Sequence, residues 1–219
     1  MVKNKNPENK IIKADVTNIY EREFANCANE TAYCTPYTLL RLLADLVPNM
    51  PDKLLYLDID MMANGDISPL YHTDIEEYEY AAVKEKYGSK IIRPDYINAG
   101  MLLLNMKKIK ETKLLEKARE LIKRKKLLFA DQDAIFWNTT KKKLLPRKYN
   151  EQASFNRKDT VICHFCKRLL WLPYPHTENY KQWNIEEIHK YLKCYTFDKD
   201  LEEYKKLKEQ FNAKMKEEV

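Results

Sequence analysis

The fold is decided by an apolar run that ends in acidic residues, Leu54-Leu55-Tyr56-Leu57-Asp58-Ile59-Asp60-Met61-Met62, and continues through Asn64-Gly65-Asp66 to Pro69-Leu70. An apolar run of this length is typical of a strand that is buried on both faces of a parallel sheet. Because side chains alternate across a strand, Asp58 and Asp60 are expected to project to the same side. In open α/β sheets, ligands bind outside the carboxyl ends of the strands, which is where this pair falls.

The acidic pair predicts a metal site. Two ionised carboxylates a few ångströms apart repel each other and are costly to bury unless a divalent cation joins them. Carboxylate oxygens suit Mg²⁺ or Mn²⁺, particularly an ion that also binds the phosphates of a substrate. The alternative is a strand followed by an acidic turn, with Asn64-Gly65-Asp66 as the turn itself. The pair alone leaves both interpretations open.

Composition limits the class of protein. The 219 residues suffice for one domain, or for one domain with a helical appendage, and 44% hydrophobic residues suffice for a core. No apolar run approaches the roughly 20 residues that span a bilayer, and the N-terminus is polar, so a cytoplasmic protein is expected. Five cysteines without a regular framework are typical of reduced thiols. The net charge of +6 is not by itself a nucleic-acid signature, and three glycines leave no room for a glycine-rich phosphate loop.

Alternating strand and helix patterns predict an α/β layered domain. Strands are expected at residues 11–16, 54–62, 81–83, 96–106 and 161–165. Helices are expected at residues 33–46, with Thr35 as the N-cap, and at 107–126, 131–138 and most of 185–219. The last helical region carries an apolar stripe that is expected to pack against the domain, with docking on an anionic membrane surface as the alternative. The stripe consists of Leu201, Tyr204, Leu207 and Phe211.

Two polar segments accompany these elements. Asn98-Ala99-Gly100 interrupts an otherwise apolar strand, which indicates either a β-bulge or a group that approaches the backbone closely. Asp131 and Gln132 stand at the start of a predicted helix. There Asp131 is expected by default to cap the helix, and the functional alternative is that both side chains face a pocket.

His164 ends the last apolar strand. A histidine in this position can add a nitrogen ligand to the two carboxylates, which favours Mn²⁺ over Mg²⁺. The alternative is a hydrogen-bonded histidine of the core. Lys167 and Arg168 follow it and can neutralise phosphate. Cys163 and Cys166 have the spacing of a zinc motif, but no second pair closes such a site.

The order of these segments resembles glycosyltransferase family 8, the family of bacterial lipopolysaccharide galactosyl- and glucosyltransferases and of glycogenin. The resemblance covers about residues 11 to 171 and includes Arg41, Tyr56-Leu57-Asp58-Ile59-Asp60, Asn98-Ala99-Gly100, Asp131-Gln132-Asp133, Leu145-Pro146-Arg147-Lys148-Tyr149-Asn150 and His164-Phe165. It implies an α/β fold of the GT-A type (Rossmann-like), with a mixed sheet flanked by helices. The expected layout is a loose N-terminus (1–10), the glycosyltransferase domain (11–175) and a helical C-terminal appendage (176–219).

The resemblance implies a metal-dependent, retaining transfer of a hexose from a UDP-sugar to a glycan or lipid-linked acceptor, of the cell-surface polysaccharide type. Mn²⁺ or Mg²⁺ would be bound by Asp58, Asp60 and His164. The catalytic residues would be Asp131 and Gln132, as positioning and charge-stabilising groups near the donor sugar. The donor-binding residues would be Arg41, Leu57, Asp58, Ile59, Asn98, Ala99 and Lys167. The expected location is cytoplasmic, with peripheral contact at the inner face of the membrane and no nucleic-acid partner.

The chain departs from the family pattern at two places. It is expected to lack the opening strand–helix–strand unit that holds the nucleotide base in the family. After the histidine, the family usually reads His-Phe-x-Gly-x-x-Lys-Pro-Trp, whereas this chain reads His164-Phe165-Cys166-Lys167-Arg168-Leu169-Leu170-Trp171. These departures leave two alternatives: a shortened relic that only binds a partner, and a haloacid-dehalogenase type phosphatase or phosphotransferase. The haloacid-dehalogenase motif has Thr or Val two residues after its second Asp, where this chain has Met62.

Overall fold

The computed structural model describes residues 7–25, 27–29 and 36–217. Its helices are α1 (Thr17–Phe24), α2 (Pro36–Leu39, continued by a 3-10 helix at Leu40–Leu46), α3 (Ser68–Tyr71), α4 (Gly88–Ile91), α5 (Met106–Thr112), α6 (Leu114–Arg124), α7 (Ala130–Asn138), α8 (Ile185–Glu187, continued by a π-helix at Ile188–Leu192) and α9 (Asp198–Glu217). Its strands are β1 (Lys53–Leu57), β2 (Met61–Ala63), β3 (Tyr80–Lys84), β4 (Ile97–Asn105), β5 (Lys142–Leu145), β6 (Ile162–His164), β7 (Arg168–Leu170) and β8 (His176–Glu178). A short 3-10 helix follows β5 at Arg147–Tyr149.

The chain forms two compact units, one from residues 1–54 and 105–140 and the other from residues 55–104 and 141–219. The described part of the first unit is mainly helical, and α6 packs against both α7 and the 3-10 helix Leu40–Leu46. A buried charged residue of this unit, Arg119, donates to the carbonyl of Leu42 and forms an ion pair with Asp45. Such pairing is what burial of a charged group requires.

One helix predicted in this unit is interrupted. Residues 107–126 were expected to form a single helix, but α5 ends at Thr112 and α6 begins at Leu114. Lys113 between them has φ 58°, in the left-handed region, and its N–H bonds back to carbonyls of the last turn of α5. A left-handed residue is a common way to end a helix, and no glycine marks this one in the sequence.

The second unit contains a mixed sheet with the order β1-β4-β3-β5. Strand β3 is antiparallel to β4 and parallel to β5. The predicted α/β class with a mixed sheet is therefore confirmed. Strand β4 is almost entirely buried, which explains why its side chains are apolar on both faces. The core around the sheet consists of Leu70, Ile75, Ala81, Val83, Met101, Leu103, Leu145, Tyr149 and Ile162.

The apolar run at 54–62 does not form one strand. It divides into β1 and β2, and the two acidic residues lie in the turn between them, where the Met61 N–H donates to the Asp58 carbonyl at 3.2 Å. The prediction that this strand is buried on both faces is also wrong, because the residues of β1 are half-buried or exposed. Strand β2 leaves the main sheet and pairs antiparallel with β6, so that Met61 lies opposite His164.

The N-terminal strand predicted at 11–16 is wrong, since these residues form no strand and most are exposed. Instead, the Asp15 carboxylate accepts hydrogen bonds from the N–H and hydroxyl of Thr17, at the start of α1. The predicted helix at 33–46 is confirmed from Pro36 onward, and its expected N-cap, Thr35, lies outside the described residues. The boundaries proposed for a loose N-terminus, a glycosyltransferase domain and an appendage stay a prediction.

The C-terminal helices pack within the second unit. A second apolar cluster joins them to residues near β6, and it confirms packing for Leu201, while Tyr204 and Phe211 are exposed. The cluster consists of Phe155, Cys163, Phe165, Ile188, Leu192, Cys194, Phe197 and Leu201. Among the described helices, none is both long and apolar enough to cross a bilayer.

Candidate functional site

Asp58, Asp60 and His164 come together in the second unit, and we call them the acidic triad. The His164 Nε2 atom lies 3.2 Å from Asp60 Oδ1 and 3.8 Å from Asp58 Oδ2. One potential ligand atom from each of the three residues lies within 4.8 Å of the others. The pairing of β2 with β6 produces this arrangement, because it places the end of β6 beside the acidic turn. Two carboxylates and one imidazole that converge in this way form a possible site for a divalent cation.

Gly100 allows the triad to converge. A Cβ atom at this position would lie 2.3 Å from His164 Cε1 and 2.9 Å from Asp58 Oδ2, so only glycine fits without displacing one of them. The prediction of a close approach at Asn98-Ala99-Gly100 is confirmed. The pairing is also irregular here, because the two-residue step from Ala82 to Lys84 opposes a longer step on β4, from Leu102 to Ile97. The close approach to the backbone and the β-bulge, which the sequence offered as alternatives, are therefore both present on β4.

A second asparagine holds the imidazole ring in position. Asn150 Oδ1 lies 3.1 Å from His164 Nδ1, and Asn150 Nδ2 donates to Asn98 Oδ1 at 2.9 Å. Asn98 Oδ1 also accepts the Gly100 N–H at 3.0 Å. Since the Asn150 amide oxygen faces Nδ1, this network favours a proton on Nδ1 and leaves Nε2 facing the two carboxylates, where it can bind a metal. Metal-binding histidines are oriented in this manner by their second nitrogen.

Lys181 and Tyr56 also make polar contacts with the triad. Lys181 Nζ donates to Asp60 Oδ2 and to the Phe165 carbonyl, and the Tyr56 hydroxyl donates to Asp58 Oδ1 at 2.7 Å. Burial raises the pKa of Asp60, but the contacts with His164 and Lys181 outweigh burial and hold that pKa well below its usual range. Asp60 is therefore ionised at neutral pH and available as an anionic ligand.

Two other segments hold the backbone of the acidic turn by hydrogen bonds. Next to Lys181, Gln182 Nε2 donates to the Ile59 carbonyl at 2.9 Å. After β6, the Phe165 N–H donates to the Asp60 carbonyl at 2.9 Å. Ile59 itself is 89% exposed, so its side chain adds little to the packing of the turn. The turn is thus held by hydrogen bonds from distant segments rather than by an apolar side chain of its own.

Arg41 and Asp131 form a separate buried ion pair in the first unit. The Arg41 Nε atom lies 2.9 Å from Asp131 Oδ2, and both side chains are almost fully buried. The expectation that Asp131 caps its helix is wrong. The N-cap is Phe129, and Asp133 in the first turn accepts the Phe129 N–H through Oδ2 at 2.9 Å. Gln132 is half-buried on the first turn of α7.

The other predicted site residues differ in exposure. Ala99 is buried, whereas Leu57 and Lys167 are exposed. Arg168 Nη2 donates to the Ala153 carbonyl at 3.3 Å, and Lys181, which was not predicted, contacts Asp60 of the triad. The sequence did not indicate a role for Lys181, because this residue lies well beyond His164 and the basic residues that directly follow it.

The residues of the triad fit a divalent cation of the Mn²⁺ or Mg²⁺ type. Oxygen ligands suit both ions, and an imidazole nitrogen suits Mn²⁺ better. Among the described residues, the group of candidate metal ligands that converges here contains no thiol, so Cys163 and Cys166 do not form a zinc site with the triad.

Known sequences place the chain in a family. The profile described as "Glycosyl transferase family 8" matches residues 2–184. The lipopolysaccharide 1,2-glucosyltransferase of Escherichia coli K12 is 36% identical over 112 residues, which cover 45% of this chain and 33% of that protein. The lipopolysaccharide 1,3-galactosyltransferase of Salmonella typhimurium LT2 is 29% identical over 140 residues, which cover 55% of this chain and 42% of that protein. The chain thus spans less than half the length of these curated relatives.

Solved structures agree on the fold. A complex of the galactosyltransferase LgtC with donor and acceptor sugar analogues is 22% identical with a TM-score of 0.54, and the match covers 67% of this chain and 64% of that one. An active-site mutant of LgtC is 17% identical with a TM-score of 0.62, over 95% of this chain and 88% of that one. At these identities the likeness shows a GT-A fold alone. With the profile match over residues 2–184, the sequence and the fold lead to one conclusion: the chain belongs to glycosyltransferase family 8.

Proposed function

We propose that the protein is a metal-dependent, retaining hexosyltransferase that uses a UDP-sugar as donor and a glycan or lipid-linked molecule as acceptor. The observation that carries this proposal is the convergence of Asp58, Asp60 and His164 around one small volume. Membership of the family supports glycosyl transfer, and two relatives are named for transfer of glucose or galactose to lipopolysaccharide. Membership also argues against the phosphatase alternative.

The acidic triad would hold Mn²⁺ or Mg²⁺. Asp58 and Asp60 supply carboxylate oxygens, and His164 supplies Nε2 while Asn150 holds its Nδ1. When bound, the ion opposes the negative charge that develops on the departing diphosphate. Lys181 brings a further positive charge to the same place through its contact with Asp60.

The remaining predicted residues would bind or orient the donor. Asp131 and Gln132 are proposed as groups that position the donor sugar and stabilise charge at its reacting carbon. The ion pair with Arg41 supports this role for Asp131, because it fixes the carboxylate in one orientation. The predicted donor contacts are Arg41, Leu57, Asp58, Ile59, Asn98, Ala99 and Lys167. A cytoplasmic location with peripheral contact at the membrane belongs to the same proposal.

Titration of the purified protein with UDP, by isothermal calorimetry with Mn²⁺ and with EDTA, tests the proposal. UDP should bind at least tenfold more tightly with Mn²⁺, and Asp58→Asn or Asp60→Asn should remove that difference. Asp66→Asn is the matched control, because Asp66 is an exposed acid that accepts the Ser68 N–H and asparagine keeps that acceptor. Equal UDP affinity in wild type and Asp58→Asn, with Mn²⁺ present, would refute the metal assignment. Binding without release of UDP from any UDP-hexose would favour the relic.

A further inference from the structure

A cavity of about 360 Å³ opens at the carboxyl ends of β3 and β5. Lys84 at the end of β3 pairs with Ile97 at the start of β4, and Asp58 after β1 donates its N–H to the Gly100 carbonyl of β4. The acidic triad and the cavity therefore lie along the same edge of the sheet. This is the edge at which α/β sheets bind their ligands.

Asn150 connects the cavity to the acidic triad. It lines the cavity, and its side chain contacts both His164 and Asn98. Gln152 lines the cavity too, and it is nearly fully buried, donating to the Lys84 carbonyl and accepting the Lys86 N–H. These bonds fix the wall of the cavity from the inside. The triad residues themselves do not line it, so a ligand here lies beside the metal site and not on it.

The lining of this cavity is basic. It includes Lys84, Lys86, Lys90 and Arg147, and Glu85 is its only acid among the described residues. One oxygen of Glu85, Oε2, accepts the N–H groups of Tyr87 and Gly88. Arg147 is balanced by Glu151, with which it forms an ion pair. The three lysines thus give the cavity a net positive charge.

We propose that this basic cavity binds a phosphate ester carried by the sugar acceptor. The inference rests on the proposed function, and it names the acceptor as a phosphorylated glycan rather than a neutral one. A volume of about 360 Å³ is of the size that holds a small ligand such as a hexose phosphate. The donor's diphosphate is assigned to the metal at the triad, so the lysines are left for a second anion. Positive charge along a groove attracts and retains such a group.

Binding of glucose 6-phosphate tests this assignment, with glucose as the neutral comparison and EDTA in the buffer. Without a metal the triad is acidic and repels phosphate, so binding reports on the cavity. The variant Lys84→Gln/Lys86→Gln/Lys90→Gln should bind glucose 6-phosphate about tenfold more weakly, which corresponds to ~1.4 kcal/mol. The control variant Lys205→Gln/Lys206→Gln/Lys208→Gln removes the same charge from exposed positions of α9 and should bind normally.

Other results separate this inference from the proposed function. The cavity variant should keep the Mn²⁺-dependent affinity for UDP, so a loss of that affinity instead would assign the lysines to the donor and overturn the proposal. It is also overturned if glucose binds as well as glucose 6-phosphate, if neither binds, or if the control variant loses as much affinity.

A third arm uses phosphatidylglycerol and phosphatidylcholine vesicles. Lysine-dependent binding to the anionic vesicles alone would identify a membrane surface and refute a sugar phosphate.

Discussion

The substitution Gly100→Ala tests the geometry of the acidic triad most directly. Its methyl group would lie 2.3 Å from His164 Cε1 and 2.9 Å from Asp58 Oδ2. The imidazole cannot simply rotate away, because it is buried and its Nδ1 is held by Asn150. To restore an ordinary carbon–carbon contact the ring must move by about 1 Å. Metal–ligand distances tolerate only about 0.2 Å, so such a movement breaks the ligand set.

The expected result is a loss of metal affinity that exceeds the loss of stability. We expect Mn²⁺ binding, measured by calorimetry, to weaken by about 10- to 100-fold, as for changes in groups that orient a ligand. The free energy of unfolding, measured with urea, should fall by about 1–3 kcal/mol because of overpacking. Gly65→Ala is the matched control, since the nearest atom to its Cβ, in Val161, lies 3.8 Å away. If Gly100→Ala binds Mn²⁺ like wild type, the close contact has no role in metal binding and the reasoning fails.

The other predictions concern stability. Arg41→Met should lower the free energy of unfolding by about 3–5 kcal/mol, because it leaves the buried Asp131 carboxylate without its ion pair. Arg41→Met combined with Asp131→Leu should recover most of that loss in urea denaturation, and a double variant as unstable as the single one would contradict the ion pair. The hydrogen bond from Lys142 holds the pKa of Asp95 below its usual range, so this carboxylate adds stability above the unfolded-state pKa of about 3.9 and loses it as the pH falls through the folded-state value. Urea midpoints should therefore fall less between neutral and acidic pH in Asp95→Asn than in wild type. An equal fall in both proteins would contradict a contribution of Asp95 to stability.

Elements with one clear local pattern could be predicted from the sequence. Strand β4 and helix α7 lie where the apolar run at 96–106 and the helical pattern at 131–138 predict them. Strand β5 was missed because it begins with Lys142-Lys143, and its place is set by parallel pairing with β3 rather than by its own hydrophobicity. The division of the run at 54–62 was missed for a similar reason, since β2 is a strand only through its pairing with β6.

The residues of the candidate site also fall into those that the sequence could indicate and those that only the folded chain shows. The residues of the acidic triad could be recognised, because two acids spaced by one residue and a histidine at a strand end form local patterns. Asn150 was part of the family pattern but had no predicted role. Lys181 could not be found, since its contact with Asp60 joins positions 121 residues apart and depends on the folded chain.

The contacts of Lys181 and Gln182 with the acidic turn also have a consequence for synthesis of the protein. A ribosome that has just added Asp60 must add another 121 residues before Lys181 exists to bond with it. Until then the turn lacks two of the hydrogen bonds that hold Ile59 and Asp60 in place. The nascent chain therefore acquires a fully fastened acidic turn late, after both strands of the β2–β6 pair have left the peptidyl-transferase centre.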